Sequence, residues 1–440
     1  MKKFAFIGAG SITFTRELVR DLLSFRDFSD SVIALMDVSE ERLAIIKSAV
    51  DRIIEAGKYP AKVITTTNRV DALKDADGVV CTIKVGGIDI CRYDVEIPKK
   101  YGVDINVGDT RGPAGIFRAL RTIPVMFDIC RDIDKYCPEA VVINYTNPMT
   151  MICHAVQAET KIKFIGLCHS VQDCAAQFAR WIEKPIEEIT YTCAGINHQA
   201  WYLDVKWNRK DAYPLLREAM NKPVVFNEEL VRNEMFLQLG YIVTESSGHN
   251  SEYNAWFRKR PDLIEKYCTH STGNNPGFYG TMLRQLDNPD QWKEEIKKWN
   301  NEVAVDLKKG HEYATSIFNA IIGDGTPFKF NGNVRNYGLI DNLPEGSCVE
   351  VPILASKLGW EAIHVGALPQ QLAVLNSINA QCEVMAAEAA VTGDPMKVFH
   401  AICYDPLTSA VLSLAEIKSM VNELFEVNRD WLPQFKCFKV

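Results

Sequence analysis

The 440-residue chain contains no long run of basic residues, and its formal net charge is −7. A protein that binds nucleic acid through its phosphates concentrates Lys and Arg on one surface. The chain also lacks any stretch of about 18 consecutive apolar residues, the length that a membrane-spanning helix needs. We therefore expect neither a nucleic-acid partner nor a membrane segment.

Signs of secretion are also missing. The stretch Met1 to Ile7 is followed at once by glycines and then by charged residues, so no signal-peptide core forms. The 13 cysteines are an odd number, and most of them lie within apolar runs. A disulfide framework instead uses paired cysteines in a short secreted chain. These features favour reduced thiols and a cytoplasmic location.

Short apolar runs alternate with helical spacing in the first half of the chain. The predicted strands are Lys3 to Ile7, Val32 to Met36, Lys62 to Thr66, Val79 to Ile83, Val141 to Tyr145 and Phe164 to Leu167. Helices are predicted from Thr13 to Phe25, after a Ser39 cap, and at about 114–135, 149–159 and 171–183. Buried strands separated by helices are typical of an α/β fold with a doubly wound, Rossmann-type parallel sheet.

The pattern changes after about residue 195. Long helical segments at Glu228 to Leu239 and Gln371 to Val391 are broken by loops rich in Gly, Asn and Pro at 270–277 and 331–346. We expect a dinucleotide-binding domain at 1–195, followed at 196–440 by a mixed α+β domain for substrate binding, catalysis and oligomerisation. Because no Pro-, Gly- or Ser-rich linker separates them, the two domains should share a broad interface that contains the active site.

A glycine turn follows the first predicted strand. Gly8 and Gly10 allow a tight turn and let a pyrophosphate approach backbone N–H groups at a helix N-terminus. Thr13 stands in place of the usual third glycine. Asp37 closes the second predicted strand 27 residues after Gly10, which matches ribose recognition and favours NAD over NADP because a carboxylate repels a 2′-phosphate. A glycine turn without a ligand is the simpler alternative.

Two further residues are predicted to join the cofactor site. Ser11 completes the turn that begins at Gly8. Gly86 follows the fourth predicted strand at its carboxyl end, where the second half of a dinucleotide passes in such sheets. A plain loop is the alternative at Gly86.

Three polar clusters lie at the carboxyl ends of predicted strands, at Asn144 to Pro148, Gly166 to Ser170 and Ala194 to His198. A core Cys or a satisfied buried His is the ordinary interpretation of any one cluster. Together they place a thiol and imidazoles at the mouth of a sheet expected to hold NAD, which favours a metal site. One Cys and one His do not complete a structural zinc site, so the remaining positions would be open to substrate and water.

These motifs resemble those of glycoside hydrolase family 4. The segments that carry the resemblance are Gly8 to Ser11, Asn144 to Pro148, Cys168 to Val171, Ala194 to His198, Val243 to Tyr253 and Gly332 to Pro344. The resemblance extends from Lys3 to about Pro433. The Cys-His-Ser-Val sequence is similar to that of the α-galactosidase (melibiase) branch, whereas the 6-phospho-glycosidases of the family have Asp or Asn after this Cys.

The resemblance implies hydrolysis of α-galactosides that depends on NAD and on Mn²⁺ or another divalent metal. Transfer of the C3 hydride to NAD makes a ketone, which acidifies the C2 proton and permits elimination of the C1 aglycone. Water then adds and the hydride returns, so this family does not use the two-carboxylate mechanism. An α-glucosidase, an α-galacturonidase or an α-glucuronidase of the same family is the alternative, and a homodimer or homotetramer is expected.

The resemblance also implies roles for individual residues. Cys168 and His198 would hold the metal, which stabilises negative charge as a Lewis acid. Tyr253 matches the general base of the family, although it would otherwise be interpreted as an aromatic core residue. Asp109 matches the acidic residue that raises the basicity of this tyrosine, although many members have Glu there. Asn147 would contact a substrate hydroxyl.

Three further positions follow from the same resemblance. His169 stands where phospho-α-glucosidases have an Asp that is proposed to protonate the leaving group. It either takes that role or only hydrogen-bonds to the sugar. Asn333 and Asn336 would line the site from the second domain.

Two interpretations from other classes remain at this point. An NAD-dependent 2-hydroxy-acid dehydrogenase, related to lactate and malate dehydrogenases, shares the first-half pattern and uses a His after the sixth strand. Such enzymes have a Gly-Asp or similar pair after this His, whereas this chain has Gln199 and Ala200, and they need no Cys before it. A nucleotide-binding regulatory protein would bind NAD without turnover and without a metal.

Overall fold

The computed structural model describes residues 1–268, 283, 290–302 and 304–440. Strands of these residues form one twelve-stranded sheet. In chain order they are β1 (Lys3–Ile7), β2 (Val32–Met36), β3 (Lys62–Thr66), β4 (Gly78–Cys81), β5 (Val141–Asn144), β6 (Phe164–Gly166), β7 (Ile189–Ile196), β8 (Gln199–Trp207), β9 (Lys210–Asp211), β10 (Phe328–Arg335), β11 (Cys348–Ser356) and β12 (Gly359–Ala362).

Helices connect and cover these strands. Before β10 the α-helices of the described residues are Ile12–Leu23, Glu40–Gly57, Arg69–Leu73, Gly87–Lys100, Gly112–Tyr136, Met149–Glu159, Ser170–Trp181, Tyr213–Ala219, Pro223–Glu228, Leu230–Leu239, Ser247–Glu252, Pro261–Cys268, Gln291–Glu302 and Ala314–Ile322. After β12 they are Gln370–Thr392, Pro395–Cys403, Pro406–Val411 and Leu414–Asn428. Alternate residues of β1 belong to two different buried clusters. Ala5 and Ile7 pack in the first cluster, and Phe4 and Phe6 pack in the second. Both faces of the sheet are therefore covered.

The first six strands are parallel and run in the order β3-β2-β1-β4-β5-β6. The direction of strand order changes between β1 and β4, which pair with each other. In doubly wound sheets a ligand binds outside the carboxyl ends of the strands at such a switch point. The predicted α/β fold with a doubly wound sheet is confirmed.

Strands from the second half of the chain extend the same sheet. β10 joins β6 in the antiparallel direction through Asn333 and Gly166, and β11 joins β7 through Glu350 and Gly195. The domain boundary predicted at residue 195 falls within β7, which pairs with β8 over its whole length. The loop that follows β6 therefore lies near strands from both halves.

Strands β1, β2 and β3 have the bounds that the sequence predicts, and Ser39 caps the helix Glu40–Gly57 by accepting the N–H of Arg42 at 3.3 Å. The predicted loop at 331–346 is wrong in part, because residues up to Arg335 belong to β10. Two of its asparagines donate side-chain bonds to other strands, Asn331 to the Cys193 carbonyl at 2.8 Å and Asn333 to the Gly166 carbonyl at 3.2 Å. The loop predicted at 270–277 lies outside the described residues.

Within the described ranges, no helix has both the length and the apolar character needed to cross a membrane. The cysteines form no disulfides, and most of them are buried.

Candidate active site

Two positions of the turn after β1, Gly8 and Gly10, have no room for a side chain. Gly8 has a φ of +87°, and a Cβ atom there would lie 2.6 Å from the Thr82 carbonyl oxygen. A Cβ atom at Gly10 would lie 2.5 Å from Oδ2 of Asp37. Glycine at both positions lets a ligand approach the backbone, as a pyrophosphate does in dinucleotide-binding folds.

The Asp37 carboxylate is fixed beside this turn. Its Oδ2 accepts the N–H of Gly10 at 2.8 Å, and its Oδ1 accepts the N–H of Ser39 at 2.9 Å. Arg42 donates to the Gly10 carbonyl at 2.9 Å and lies 4.1 Å from the ring centre of Trp292. The carboxylate therefore stands at the end of β2, where a ribose-binding acid is found in this fold.

The helix after the turn presents an uncapped N-terminus. Ser11 precedes Ile12–Leu23, its side chain makes no capping bond, and the first turn contains no acidic residue. The exposed N–H groups and the positive end of the helix dipole favour an anion at this position.

Gly86 lies in the neighbouring loop, at the start of the helix Gly87–Lys100. It has a φ of +81°, and a Cβ atom there would lie 2.4 Å from Cγ2 of Ile90. In the same loop Thr82 donates its hydroxyl to the Gly8 carbonyl at 2.9 Å. The loops after β1 and β4 are thus in direct contact, as a shared dinucleotide site requires.

Cys168 and His198 meet at the same edge of the sheet. Cys168 follows β6, and His198 lies in the two-residue turn between β7 and β8. Both residues are buried, and Sγ of Cys168 is 3.2 Å from Nε2 of His198. Burial raises the pKa of the Cys168 thiol, so a thiolate in this position needs a compensating cation.

The second ring nitrogen of His198 faces hydroxyl groups. Nδ1 is 2.9 Å from Oγ1 of Thr110 and 3.3 Å from the hydroxyl of Tyr253. Burial lowers the pKa of His198 to about 4, so the ring is neutral and one nitrogen carries a lone pair. A hydrogen bond from Nδ1 leaves the Nε2 lone pair directed towards Cys168, as in metal-binding histidines.

Asp109 connects the polar groups around Tyr253. Its Oδ1 accepts the hydroxyl of Thr110 at 2.8 Å, and its Oδ2 accepts Nδ2 of Asn147 at 3.2 Å. Oδ1 of Asn147 is buried and has no hydrogen-bond partner among the described residues. Buried polar atoms are normally satisfied, so this oxygen is an acceptor that a substrate hydroxyl can use.

His249 forms ion pairs with two carboxylates. Its Nε2 is 3.4 Å from Oδ1 of Asp109, and its Nδ1 is 2.9 Å from Oε1 of Glu245. Burial disfavours the charged ring, but Glu245 and Asp109 raise the pKa of His249 well above its usual value. Burial disfavours the charged form of both carboxylates, but His249 lowers the pKa of Asp109 and of Glu245 below their usual values.

Tyr253 is fully buried beside a guanidinium group. The Cζ atom of Arg111 lies 4.5 Å from the centre of the Tyr253 ring, and Arg111 is paired with Glu383 at 2.8 Å. Burial and the charge of Asp109 raise the pKa of Tyr253 well above its usual value, while Arg111 acts in the opposite direction. An ionised Tyr253 is therefore a strong base that requires nearby positive charge.

His169 lies at the rim of the site, with its side chain 41% exposed. Its Nδ1 is 3.5 Å from Oε1 of Glu312, whose Oε2 accepts the hydroxyl of Tyr145 at 3.0 Å. The bond to Glu312 raises the pKa of His169 to about 9 against the effect of burial. The imidazole is therefore protonated at neutral pH.

Asn333 and Asn336 hold backbone groups. Asn333 donates to the Gly166 carbonyl at 3.2 Å, while its Oδ1 is buried without a partner among the described residues. The amide of Asn336 accepts the N–H groups of Leu339 and Ile340 and donates to carbonyl groups of the same loop. Both the oxygen and the nitrogen of the Asn336 amide therefore stabilise the loop, and these contacts do not support a role of Asn336 in substrate binding.

Sequence patterns predicted no role for four residues of this cluster, which are Thr110, Arg111, Glu245 and His249. The spacing of Glu245 and His249 was a usable signal, because residues four apart at a helix start can pair. Thr110 and Arg111 directly follow Asp109, but nothing in the sequence identifies Glu383 as the partner of Arg111.

Comparison with known proteins decides the family. The model of family 4 glycosyl hydrolases matches residues 3–184, and the model of the C-terminal domain of the same family matches residues 193–408. The α-galactosidase of Bacillus subtilis (strain 168) is 38% identical, over 99% of this chain and 100% of that protein. The chain belongs to glycosyl hydrolase family 4.

Other relatives agree with this membership. The α-galactosidase of Rhizobium meliloti (strain 1021) is 38% identical over 98% of this chain and 89% of that protein. A crystal structure of 6-phospho-α-glucosidase from gut microorganisms, in complex with NAD and Mn²⁺, has a TM-score of 0.82 at 19% identity and covers 99% of this chain and 100% of that chain. At that identity the likeness shows the fold alone. As a member of family 4 the protein is a glycosidase, so the interpretation as a 2-hydroxy-acid dehydrogenase no longer applies.

Proposed function

We propose that this family 4 glycosidase hydrolyses α-galactosides with NAD and a divalent metal ion as cofactors. The observation that carries the proposal is the contact of His198 with both Cys168 and Tyr253, in a fold whose first strand ends in a glycine turn suited to a dinucleotide. The choice of galactose is supported by the two α-galactosidases that match nearly the whole chain.

The residues around the first turn fit NAD. Gly8 and Gly10 let the turn pack tightly against Thr82 and Asp37, where a Cβ atom would clash, and the N-terminal N–H groups of the next helix have no side-chain cap and are available to phosphate. The Asp37 carboxylate suits an unmodified ribose. A family member of the same fold was crystallised with NAD and Mn²⁺, which supports both cofactors.

The residues beyond β6 fit a divalent metal. A thiol and a neutral imidazole nitrogen face each other at 3.2 Å, and both are metal ligands in their deprotonated forms. Mn²⁺ is the expected ion, and a thiolate ligand would also accept Fe²⁺, Co²⁺ or Ni²⁺.

The side chains of the site have different roles in the proposed reaction. When bound, NAD supplies a reversible acceptor for the C3 hydride, and the metal ion supplies a Lewis acid for charge that develops on the sugar oxygens. Tyr253 removes the C2 proton once C3 is a ketone. Asp109 raises the basicity of Tyr253 through its charge, and Asn147 orients a substrate hydroxyl with its free Oδ1.

His169 is proposed to donate the proton to the departing oxygen. It is next to Cys168, reaches the rim of the site and is held by Glu312. If it is the donor, His169→Gln should slow natural galactosides much more than nitrophenyl galactosides, because a nitrophenolate leaves without a proton. A general acid contributes roughly 10²–10⁴-fold. Equal slowing of both substrates would limit His169 to hydrogen bonding with the sugar.

A substrate panel tests the choice of sugar. Aryl α-galactoside, α-glucoside, α-galacturonide and 6-phosphoglycosides are assayed with NAD, Mn²⁺ and a thiol reductant. We expect the α-galactoside to have a kcat/KM roughly tenfold or more above the others, a difference of about 1.4 kcal/mol in transition-state binding. A larger value for another sugar would assign the enzyme to that sugar, and no cleavage of any glycoside would contradict the proposed function.

We also propose a cytoplasmic homodimer or homotetramer. The unpaired cysteines suit a reducing compartment. Val374 and Ile378 lie one turn apart on the helix Gln370–Thr392 and are 54% and 41% exposed, which supports an apolar contact between subunits. Light scattering of the purified protein will give the number of subunits, and a monomer at all concentrations would contradict this proposal.

A further inference from the structure

We propose that Glu245 is a third protein ligand of the divalent metal, beside Cys168 and His198. The inference rests on the proposed function, because it concerns the metal ion of the same site. Sγ of Cys168, Nε2 of His198 and a carboxylate oxygen of Glu245 all lie within 4.8 Å of one another. A thiolate, an imidazole and a carboxylate together form a ligand set that suits divalent first-row metals.

Backbone contacts fix Glu245 beside the other two residues. Thr244 donates its N–H to the Ala200 carbonyl at 2.8 Å and accepts the N–H of Ala200 at 3.1 Å through its hydroxyl. These bonds tie the residue before Glu245 to β8, two residues after His198. Sγ of Cys174 contacts the Glu245 carbonyl at 3.7 Å, which ties the segment to the helix that follows Cys168.

The backbone conformations of His198 and Glu245 are unusual. Their φ values are +62° and +69°, in the left-handed region that residues with a Cβ atom adopt uncommonly. Such conformations cost free energy and concentrate at ligand-binding sites, where the surrounding structure maintains them. At His198 the two-residue turn between β7 and β8 also requires such a conformation, so the value at Glu245 carries this part of the argument.

The two carboxylate oxygens of Glu245 have different neighbours. Oε1 is 2.9 Å from Nδ1 of His249, whereas Oε2 is 4.0 Å from Nε2 of His198. An ion pair with His249 accounts for the first oxygen only. His249 is therefore a positioning residue, which holds one oxygen so that the other faces the nitrogen that also faces Cys168.

The charges of these ligands also match the ion. Metal ligation requires the thiolate form of Cys168, the neutral form of His198 and the carboxylate form of Glu245. One thiolate and one carboxylate neutralise both charges of a divalent cation. The opposite charges of Asp109 and His249, which lie 3.4 Å apart, cancel each other, so without Glu245 one positive charge of the buried ion would remain uncompensated by these groups.

Metal titration of Glu245→Gln tests this assignment without any assay of activity. The substitution keeps the size of the side chain and removes its charge. Metal-free wild type and variant are titrated with Mn²⁺, and the free ion is followed by its electron paramagnetic resonance signal. We expect the Kd for Mn²⁺ to rise at least tenfold, since even changes outside the ligand shell cost about 10–100-fold.

Asp173→Asn is the matched control, because it removes one negative charge near the site. Carboxylate oxygens of Asp173 lie 4.0 Å from Nε2 of His169 and 3.2 Å from Nε2 of His311. We expect the substitution to change the Kd for Mn²⁺ by no more than about threefold. Equal weakening in both variants, or wild-type affinity in Glu245→Gln, would overturn the assignment. If Glu245→Gln does not fold, Glu245→Asp is used, with the same tenfold criterion. Absence of Mn²⁺ binding by wild type would instead contradict the metal dependence in the proposed function, and the inference with it.

Discussion

Replacing Tyr253 with Phe should lower turnover by roughly 10²–10⁴-fold, the usual contribution of a general base. The substitution keeps the fully buried ring that lies 4.5 Å from the Arg111 guanidinium. It removes only the hydroxyl, which is 3.3 Å from Nδ1 of His198. Affinity for NAD should therefore remain close to that of wild type. Affinity for Mn²⁺ should also change little, because the shorter contact of Nδ1 with Thr110 at 2.9 Å remains, and kcat should carry the loss. Steady-state kinetics and cofactor titrations measure the two effects separately.

Tyr337→Phe is a matched control, because Tyr337 is 61% exposed and loses the same hydroxyl. We expect its turnover to equal that of wild type. A loss below tenfold in Tyr253→Phe would count against the role of Tyr253 as the base.

Isotope exchange at C2 examines the same step in the wild-type enzyme. If a base removes the C2 proton after oxidation at C3, product formed in D₂O should contain deuterium at C2. Substrate deuterated at C2 should correspondingly lose its label. Displacement by two carboxylates breaks only the bond between C1 and the departing oxygen and leaves C2–H intact. Product that is wholly protiated at C2 after complete turnover in D₂O would therefore overturn the elimination mechanism.

The sequence predicts those parts of the fold that local patterns determine. β1, β2 and β3 are short apolar runs bounded by turn residues, so their bounds follow from periodicity and composition. The sequence also places Cys168 and His198 directly after predicted strands. That the two residues meet depends on β10 and β11, which stand between β6 and β7 in the sheet.

Long-range pairing determines the features that the sequence did not predict. Residues 331–335 are rich in Asn and Gly, which disfavour strands, yet they complete β10 between β6 and β11. Asn333 bonds to Gly166, which is 167 residues away. The pairing of Arg111 with Glu383 likewise joins two buried side chains from opposite halves of the chain. No local pattern contains this information.

Loss of the metal is expected to have the second large effect. Exhaustive chelation should abolish activity, and Mn²⁺ should restore it, because an open catalytic site keeps positions for substrate and water and so exchanges its ion. Full activity after verified removal of metal would contradict the assignment.

Oxidants should also inactivate the enzyme, since only the thiolate of Cys168 binds the ion well. The exposed Cys437 provides the control, because Cys437→Ser should leave sensitivity to oxidants unchanged.

Cys168→Ser separates affinity for the ion from its use in catalysis. A serine hydroxyl is a much weaker ligand than a thiolate, so activity at low Mn²⁺ should fall by at least roughly 10²-fold. If the thiolate serves only to hold the ion, high Mn²⁺ should restore much of this loss by mass action. If it also tunes the ion electronically, kcat should stay low at saturating Mn²⁺. Wild-type turnover of Cys168→Ser at low Mn²⁺ would show that Cys168 is not a ligand, since neither role would then remain for the thiol 3.2 Å from His198.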